Sequence, residues 1–373
     1  MPASPMKTSP LPLAPGCVLA CPGCGHRCHT APESLARKQR WLTTALADWS
    51  ARLAPIEGPA ELERWHYRDR VCLHAQWQSG WRLGLRRGDA IVGIPCCPSH
   101  SARVNAAARL LATALPPAER FPLAYYLQAG AQVTLVIKRA EVPDCGWLGP
   151  ELQAALAAAG VEGLWLNCHP AAGRRLCAKR GWRLLWGSPS SLDPLGLVHG
   201  PAAFQQLLPG LYVRALQAAE RFLAPGPDSS VMDLYSGRGA SLRRWLAQGA
   251  RSVGVELDGE AVTCAGRNAP AATVLRGPCA QRLPQLRAWQ RHQEGRTVLA
   301  FLNPPRTGLE PQVLSWLAGE AAVIRLAYLS CSAGTLARDL RALVAAGLGV
   351  EALRPFDFFP QTPHVEVLAL LRR

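Results

Sequence analysis

The sequence predicts an α/β protein. Its C-terminal half is a doubly wound, Rossmann-like sheet, and an α+β region with a cysteine-rich metal loop precedes it. Three observations predict this. After Gly200, strand-like and helix-like runs alternate: VMDLYS (231–236), a helix over 241–248, RSVGVEL, GEAVTCAGRNA, VLAFLN (298–303), a helix over 312–319, IRLAYLS, a helix over 334–346 and a final strand pair. Such alternation builds a mostly parallel sheet. A glycine turn, Asp233-Leu-Tyr-Ser-Gly-Arg-Gly239, follows the first of these strands, where a ligand crevice belongs. Finally, Cys17, Cys21, Cys24 and Cys28 crowd one short loop near the N-terminus.

Taken in chain order, residues 1–16 form a Pro/Ser leader expected to be disordered. Residues 17–100 hold the cysteine loop, a helix and short strands. The helix opens at Thr30-Ala-Pro-Glu33, a capping box with proline in the first turn. Its apolar stripe is Leu35, Leu42, Ala45, Leu46 and Trp49, with Arg37, Lys38 and Arg40 mostly off it. From Tyr67 to Ile94 short alternating runs predict antiparallel strands. Residues 101–200 read as a central α+β domain, and the boundary falls in SPSSLDPLG, before the 201–373 domain.

Composition narrows the function. The 373 residues carry 41 Lys and Arg against 26 Asp and Glu, a formal net charge of +15. That balance favours a polyanionic partner, nucleic acid first. A hydrophobic share of 49% excludes a disordered chain. No apolar run is long enough to span a bilayer, and Pro10, Pro12 and Pro15 interrupt any leader signal, so a cytoplasmic protein is expected; it is also expected to be a monomer. Thirteen cysteines in such a chain argue for thiolates with a task, not for disulfides.

The candidate chemistry lies at the ends of the C-terminal strands. Glu256 ends the second strand, where a carboxylate can accept both hydroxyls of an adenosine ribose. Asn303-Pro-Pro-Arg-Thr-Gly308 follows the fourth strand, and its prolines turn Asn303 and Arg306 into the crevice. Cys331 ends the fifth strand beside a helix N-terminus, a setting that lowers a thiol's pKa and makes it a nucleophile. Phe359-Pro-Gln-Thr-Pro-His-Val-Glu366 returns a carboxylate at the last strand. Carbon 5 of uracil needs both groups. A thiolate adding at carbon 6 makes carbon 5 nucleophilic, and a base then removes the carbon 5 proton so that the thiolate can leave. Cys331 and Glu366 fit these roles, with Arg306 or Asn303 stabilising charge on O4. The base acted on must be flipped out or lie in a loop.

NPPRTG, YLSCSAGTLARDL and FFPQTPHVEVLALL resemble the hallmark segments of the RNA uracil-C5 methyltransferase family, over about 201–373. The resemblance implies Cys331 as nucleophile, Glu366 as base, and Gln206, Tyr235, Glu256 and Asn303 as contacts to S-adenosylmethionine. Asn303, where many members have Asp, resembles the iron–sulfur branch that acts on 23S rRNA and lacks a TRAM domain. Leu208 stands where the family usually has Asn. The resemblance also implies a [4Fe–4S] cluster on Cys17, Cys21, Cys24 and Cys97, with Cys28 and Cys96 as spares. Zinc is the alternative, in a knuckle drawn from Cys21, Cys24, His26, Cys28 and His29.

The implied function is S-adenosylmethionine-dependent methylation of a uracil in 23S rRNA. The basic residues Arg68, Arg70, Arg82, Arg86, Arg87, Arg174, Arg175, Lys179 and Arg180 would grip RNA phosphate. The same chemistry on tRNA is the runner-up. A cytosine-C5 enzyme would carry a cysteine where Arg306 stands, or Pro-Cys after the fourth strand, whereas Pro278-Cys279 precedes it. A non-catalytic iron–sulfur RNA-binding protein would not need Cys331, Glu366 and Gln206.

Overall fold

A computed structural model describes residues 11–173, 176–293 and 295–373. The first ten residues of the expected leader, and Arg174 and Arg175, lie outside the described residues. Among those described, no helix is long and apolar enough to cross a membrane.

Helix α1 (Ala31–Ala45) starts at the expected capping box: Thr30 accepts from the Glu33 N–H, and Glu33 accepts from the Thr30 N–H. Strands β1 (Arg70–Trp77), β2 (Trp81–Arg87) and β3 (Ala90–Gly93) form the predicted antiparallel meander. Helix α2 (Ala102–Ala114) follows, then β4 (Leu123–Ala129), β5 (Gln132–Ile137), α3 (Pro150–Ala158), β6 (Gly163–Cys168) and β7 (Trp182–Gly187). The seven strands form one sheet in the order β3-β2-β1-β4-β5-β6-β7. Since β1 pairs with β4, the strands on either side of residue 100 share this sheet. Only β5 and β6 run parallel, with α3 making the crossover. Leu111 of α2 and Leu156 of α3 are buried in its core with Leu135 and Leu166.

A short hairpin, β8 (Ser191–Leu192) and β9 (Val198–His199), leads to α4 (Pro209–Leu223). The rest alternates, with β12 and α7 in addition to the elements expected: β10 (Ser229–Leu234), α5 (Ala240–Ala247), β11 (Arg251–Glu256), α6 (Gly259–Asn268), β12 (Thr273–Arg276), α7 (Cys279–Arg291), β13 (Thr297–Leu302), α8 (Pro311–Gly319), β14 (Arg325–Ser330), α9 (Ala333–Ala345), β15 (Gly349–Phe356) and β16 (Glu366–Arg372). The sheet order is β12-β11-β10-β13-β14-β16-β15, and only β16 runs against its neighbours. Side chains alternate across it. Met232, Leu234, Ala300 and Leu302 face the layer of α7, α8 and α9, while Val231, Leu299 and Phe301 face that of α4 and α5. Strand order reverses between β10 and β13, so the crevice opens at their carboxyl ends.

Helix α1 is an unexpected member of this second unit. Leu42 and Leu46 are fully buried in its core. Lys38, expected off the apolar stripe, is buried as well, because its ammonium donates to Asp357 at 2.5 Å and to the Phe359 carbonyl at 3.2 Å. A buried charge without its partner is costly. Lys38→Ala leaves Asp357 only Arg64, at 4.0 Å, and should lower unfolding free energy by about 3–5 kcal/mol. Urea denaturation at pH 7 checks this; a loss below about 1 kcal/mol would mean that the pair carries little.

Candidate active site

The β10–α5 turn places three residues in the left-handed region, Tyr235 (φ 61°), Gly237 (φ 55°) and Gly239 (φ 85°). A side chain at Gly239 would press on the Ala265 backbone at 3.1 Å, so this glycine lets α5 start against α6. Glu256, the last residue of β11, accepts from the Gly237 N–H at 2.9 Å and the Asp258 N–H at 2.7 Å. A carboxylate has about four acceptor positions, so it retains capacity for ligand hydroxyls. Asn303 follows β13 and donates its N–H to the Leu234 carbonyl at 3.2 Å, tying the Pro304-Pro305 loop to the first strand. Gln206 reaches in from the segment before α4. Its amide nitrogen donates to Glu366 Oε2 at 3.3 Å, and its own Oε1 is buried without a partner.

Gln206, Tyr235, Glu256, Asn303, Cys331 and Glu366 all line one cavity of about 670 Å³, together with Arg306 and Phe359. The structure thus brings together the six residues singled out in the sequence. The volume suits a nucleoside-sized ligand, and the orphaned Gln206 carbonyl is an acceptor still to be satisfied.

The electrostatics correct one expectation. The Cys331 thiol is not lowered: burial pushes its pKa up, the Glu366 carboxylate adds to that, and Arg306 acts in the other direction by charge and hydrogen bond. Activation of this thiol therefore depends on Arg306 and on whatever else enters the cavity. Glu366 is buried, and burial pushes its carboxyl up to about 7, against the Gln206 hydrogen bond and the Arg306 charge. A base in that range is well matched to proton transfer near neutral pH.

The raised Glu366 pKa has a stability consequence. Its folded value lies above the ordinary 4.5, so the fold binds this proton more tightly than the unfolded chain does. The resulting stability is complete below about pH 4.5 and is lost as pH rises through about 7, a loss on the order of 3 kcal/mol. Glu366→Gln should therefore melt above the wild type at pH 8, with the gap shrinking toward pH 4.5. Thermal melts across that range check it; a gap independent of pH would contradict the assignment.

Sequence reasoning missed the residues that hold this geometry. Asp339 of α9, fully buried, accepts from the Leu309 N–H (2.9 Å), the Tyr328 hydroxyl (2.8 Å) and Arg338 (2.9 Å). Thr335 donates to the Arg306 carbonyl, and Arg338 to that of Thr307. The helix behind Cys331 is thereby stitched to the Arg306 loop. Glu310, at the start of α8, accepts from the Tyr235 hydroxyl at 3.3 Å and the Ala280 N–H at 3.2 Å, and it lines the same cavity. Cys279 lines it too, but burial pushes its thiol up to about 12. Leu208, where the sequence resemblance led to Asn, begins α4 without a side-chain cap and is buried in the apolar layer with Leu211 and Tyr212. It packs there instead of hydrogen bonding.

In the N-terminal part of the chain Cys17, Cys21, Cys24 and Cys97 line one small cavity. Cys96 is exposed, and its sulfur accepts from Arg109. The thiols are free, yet among the described residues no group of three or more His, Cys, Asp or Glu side chains is set to hold a metal ion. The donor types suit a metal, but the expected metal centre is not formed as a closed cage. His26 of the zinc alternative is engaged with Ser34 at 2.9 Å. Of the basic residues, Arg86 pairs with Asp89, Arg87 donates to the Ala20 carbonyl, and Arg70 stacks over Phe204 at 5.3 Å.

The fold is a doubly wound α/β sheet with its crevice at the strand switch point. The chain aligns with the crystal structure of Pyrococcus abyssi tRNA (uracil-54, C5)-methyltransferase in complex with S-adenosyl-L-homocysteine at a TM-score of 0.69, over 94% of this chain and 86% of that one, with 20% identity. Residues 290–373 match the tRNA (uracil-5-)-methyltransferase family. An uncharacterized RNA methyltransferase of Lactobacillus johnsonii is 34% identical over 228 residues, 57% of this chain and 48% of that protein. Another from Geobacter sulfurreducens is 41% identical over 149 residues, 38% and 29% respectively. The chain spans about half the length, or less, of these curated relatives. The sequence likeness to the tRNA (uracil-5-)-methyltransferase family thus lies in residues 290–373, and the structural likeness is one of fold.

Proposed function

We propose that this protein methylates carbon 5 of a uracil in RNA, using S-adenosylmethionine, with Cys331 as covalent nucleophile and Glu366 as base. One observation carries the reading. The Cys331 thiol, the Glu366 carboxyl and Arg306 line a single cavity close enough to act on one another by charge, and the same cavity is lined by Glu256 and the Gly237 turn.

S-adenosylmethionine, when bound, supplies the methyl group as an electrophile. Gln206, Tyr235, Glu256 and Asn303 would hold it. Arg306 stabilises the Cys331 thiolate and then the negative charge that develops on the uracil. The Cys331 sulfur bonds to carbon 6, which makes carbon 5 nucleophilic; carbon 5 would take the methyl as its bond to the sulfonium breaks, leaving S-adenosylhomocysteine. Glu366 removes the carbon 5 proton, the carbon 6–sulfur bond breaks, and the thiolate is regenerated. Gln206 keeps the Glu366 carboxylate oriented throughout.

The proposed substrate is 23S rRNA, presented as a hairpin loop or an unstructured segment. Asn303 and the cysteine loop support that branch. The convergence of Cys17, Cys21, Cys24 and Cys97 on one cavity supports a [4Fe–4S] cluster held by these four thiols. Mapping 5-methyluridine across rRNA and tRNA of a deletion strain tests the target: loss from 23S rRNA is expected, and loss from tRNA alone would overturn it. A brown protein with broad absorption in the visible blue is expected; a colourless, zinc-loaded one would overturn the cluster.

A further inference from the structure

The segment between β15 and β16 forms one wall of the cavity, since Phe359 and Glu366 both line it. Three consecutive carbonyls of this strap are taken by the opposite end of the chain. Lys38 donates to the Phe359 carbonyl at 3.2 Å, the Tyr67 hydroxyl to that of Pro360 at 2.8 Å, and the His26 N–H to that of Gln361 at 2.8 Å. Gln361 has φ 66° and donates its side-chain amide to the Arg64 carbonyl. A non-glycine residue in that region persists only where its surroundings over-determine it. Tyr67 is itself buried, and burial pushes its hydroxyl up to about 12, so it stays a donor at neutral pH.

We infer that Tyr67 and Lys38 are positioning residues for the base: they fix the strap that carries Glu366, so that the N-terminal part of the chain sets the final, proton-removing step. This rests on the reading given above. Cys331 lies between β14 and α9, outside the strap, so its attack does not depend on the clamp. Loosening the clamp slows proton removal and leaves the covalent RNA–protein adduct to accumulate.

The test uses Tyr67→Phe, which removes one hydroxyl and no packing, on the full-length protein with uracil RNA and S-adenosylmethionine. Losing one buried hydrogen bond at the strap should lower turnover by about fivefold to tenfold. Adduct formation should stay within about twofold, and the adduct resolved by denaturing gel should become a larger share of the protein. Gln361→Gly, which keeps the backbone angle and drops the Arg64 contact, should shift the balance the same way. If adduct formation and turnover fall together, or neither variant accumulates adduct, the inference fails. If the wild type forms no adduct with 5-fluorouracil RNA, the functional reading fails instead.

Discussion

Replacing Cys331 by alanine is expected to lower methyl transfer to RNA by about 10⁴-fold or more, while S-adenosylmethionine binding stays within about twofold. The size follows from the chemistry. Carbon 5 of uracil is a poor nucleophile, and without a sulfur bond at carbon 6 nothing else in the cavity can donate the electron pair. Cys279 is no substitute, because burial holds its thiol at about 12. Single-turnover methylation and equilibrium binding measured on the same preparation separate the two effects. Near-normal methylation by the variant would remove Cys331 from the reaction.

Glu366→Gln should fail later in the cycle. Turnover is expected to fall by about 10²- to 10⁴-fold, while the carbon 6 bond still forms and the methylated adduct persists. Glutamine keeps the hydrogen bond to Gln206 but accepts no proton. The pH dependence has a definite sign. The base works only when deprotonated, and its pKa is pushed up to about 7, so wild-type turnover should fall as pH drops below about 7. The raised Cys331 thiol favours the same direction. Turnover from pH 5.5 to 8.5, with the adduct quantified at each point, checks both statements. A variant that turns over normally, or one that fails to form adduct, would contradict the assignment.

Much of this site was legible because its residues sit where strands end. Glu256, Asn303, Cys331 and Glu366 each end, follow or begin a strand whose alternation shows in the sequence, and a doubly wound sheet gathers such positions at one crevice. Gln206 was found only through the family resemblance. Other features depend on contacts that no local pattern carries. Lys38 looked like one of three basic residues on a polar face, but its partner Asp357 lies 319 positions away. Tyr67 acts through a group 293 positions away and Glu310 through one 75 away, while Asp339 gathers the Tyr328 hydroxyl and the Leu309 N–H. The direction of the Cys331 shift was misjudged because a helix terminus is visible in a sequence, whereas burial beside a carboxylate is not. Strand β12 went unnamed since four half-exposed residues make a weak signal.

The central claim is the covalent bond at Cys331. The most direct measurement incubates the protein with 5-fluorouracil RNA and S-adenosylmethionine, then digests the complex and identifies the linked peptide by mass spectrometry. Fluorine at carbon 5 cannot leave as a proton does, so the methylated adduct should be trapped on the peptide containing Cys331. Linkage at Cys279, or no linkage at all while uracil RNA is methylated, would contradict the account.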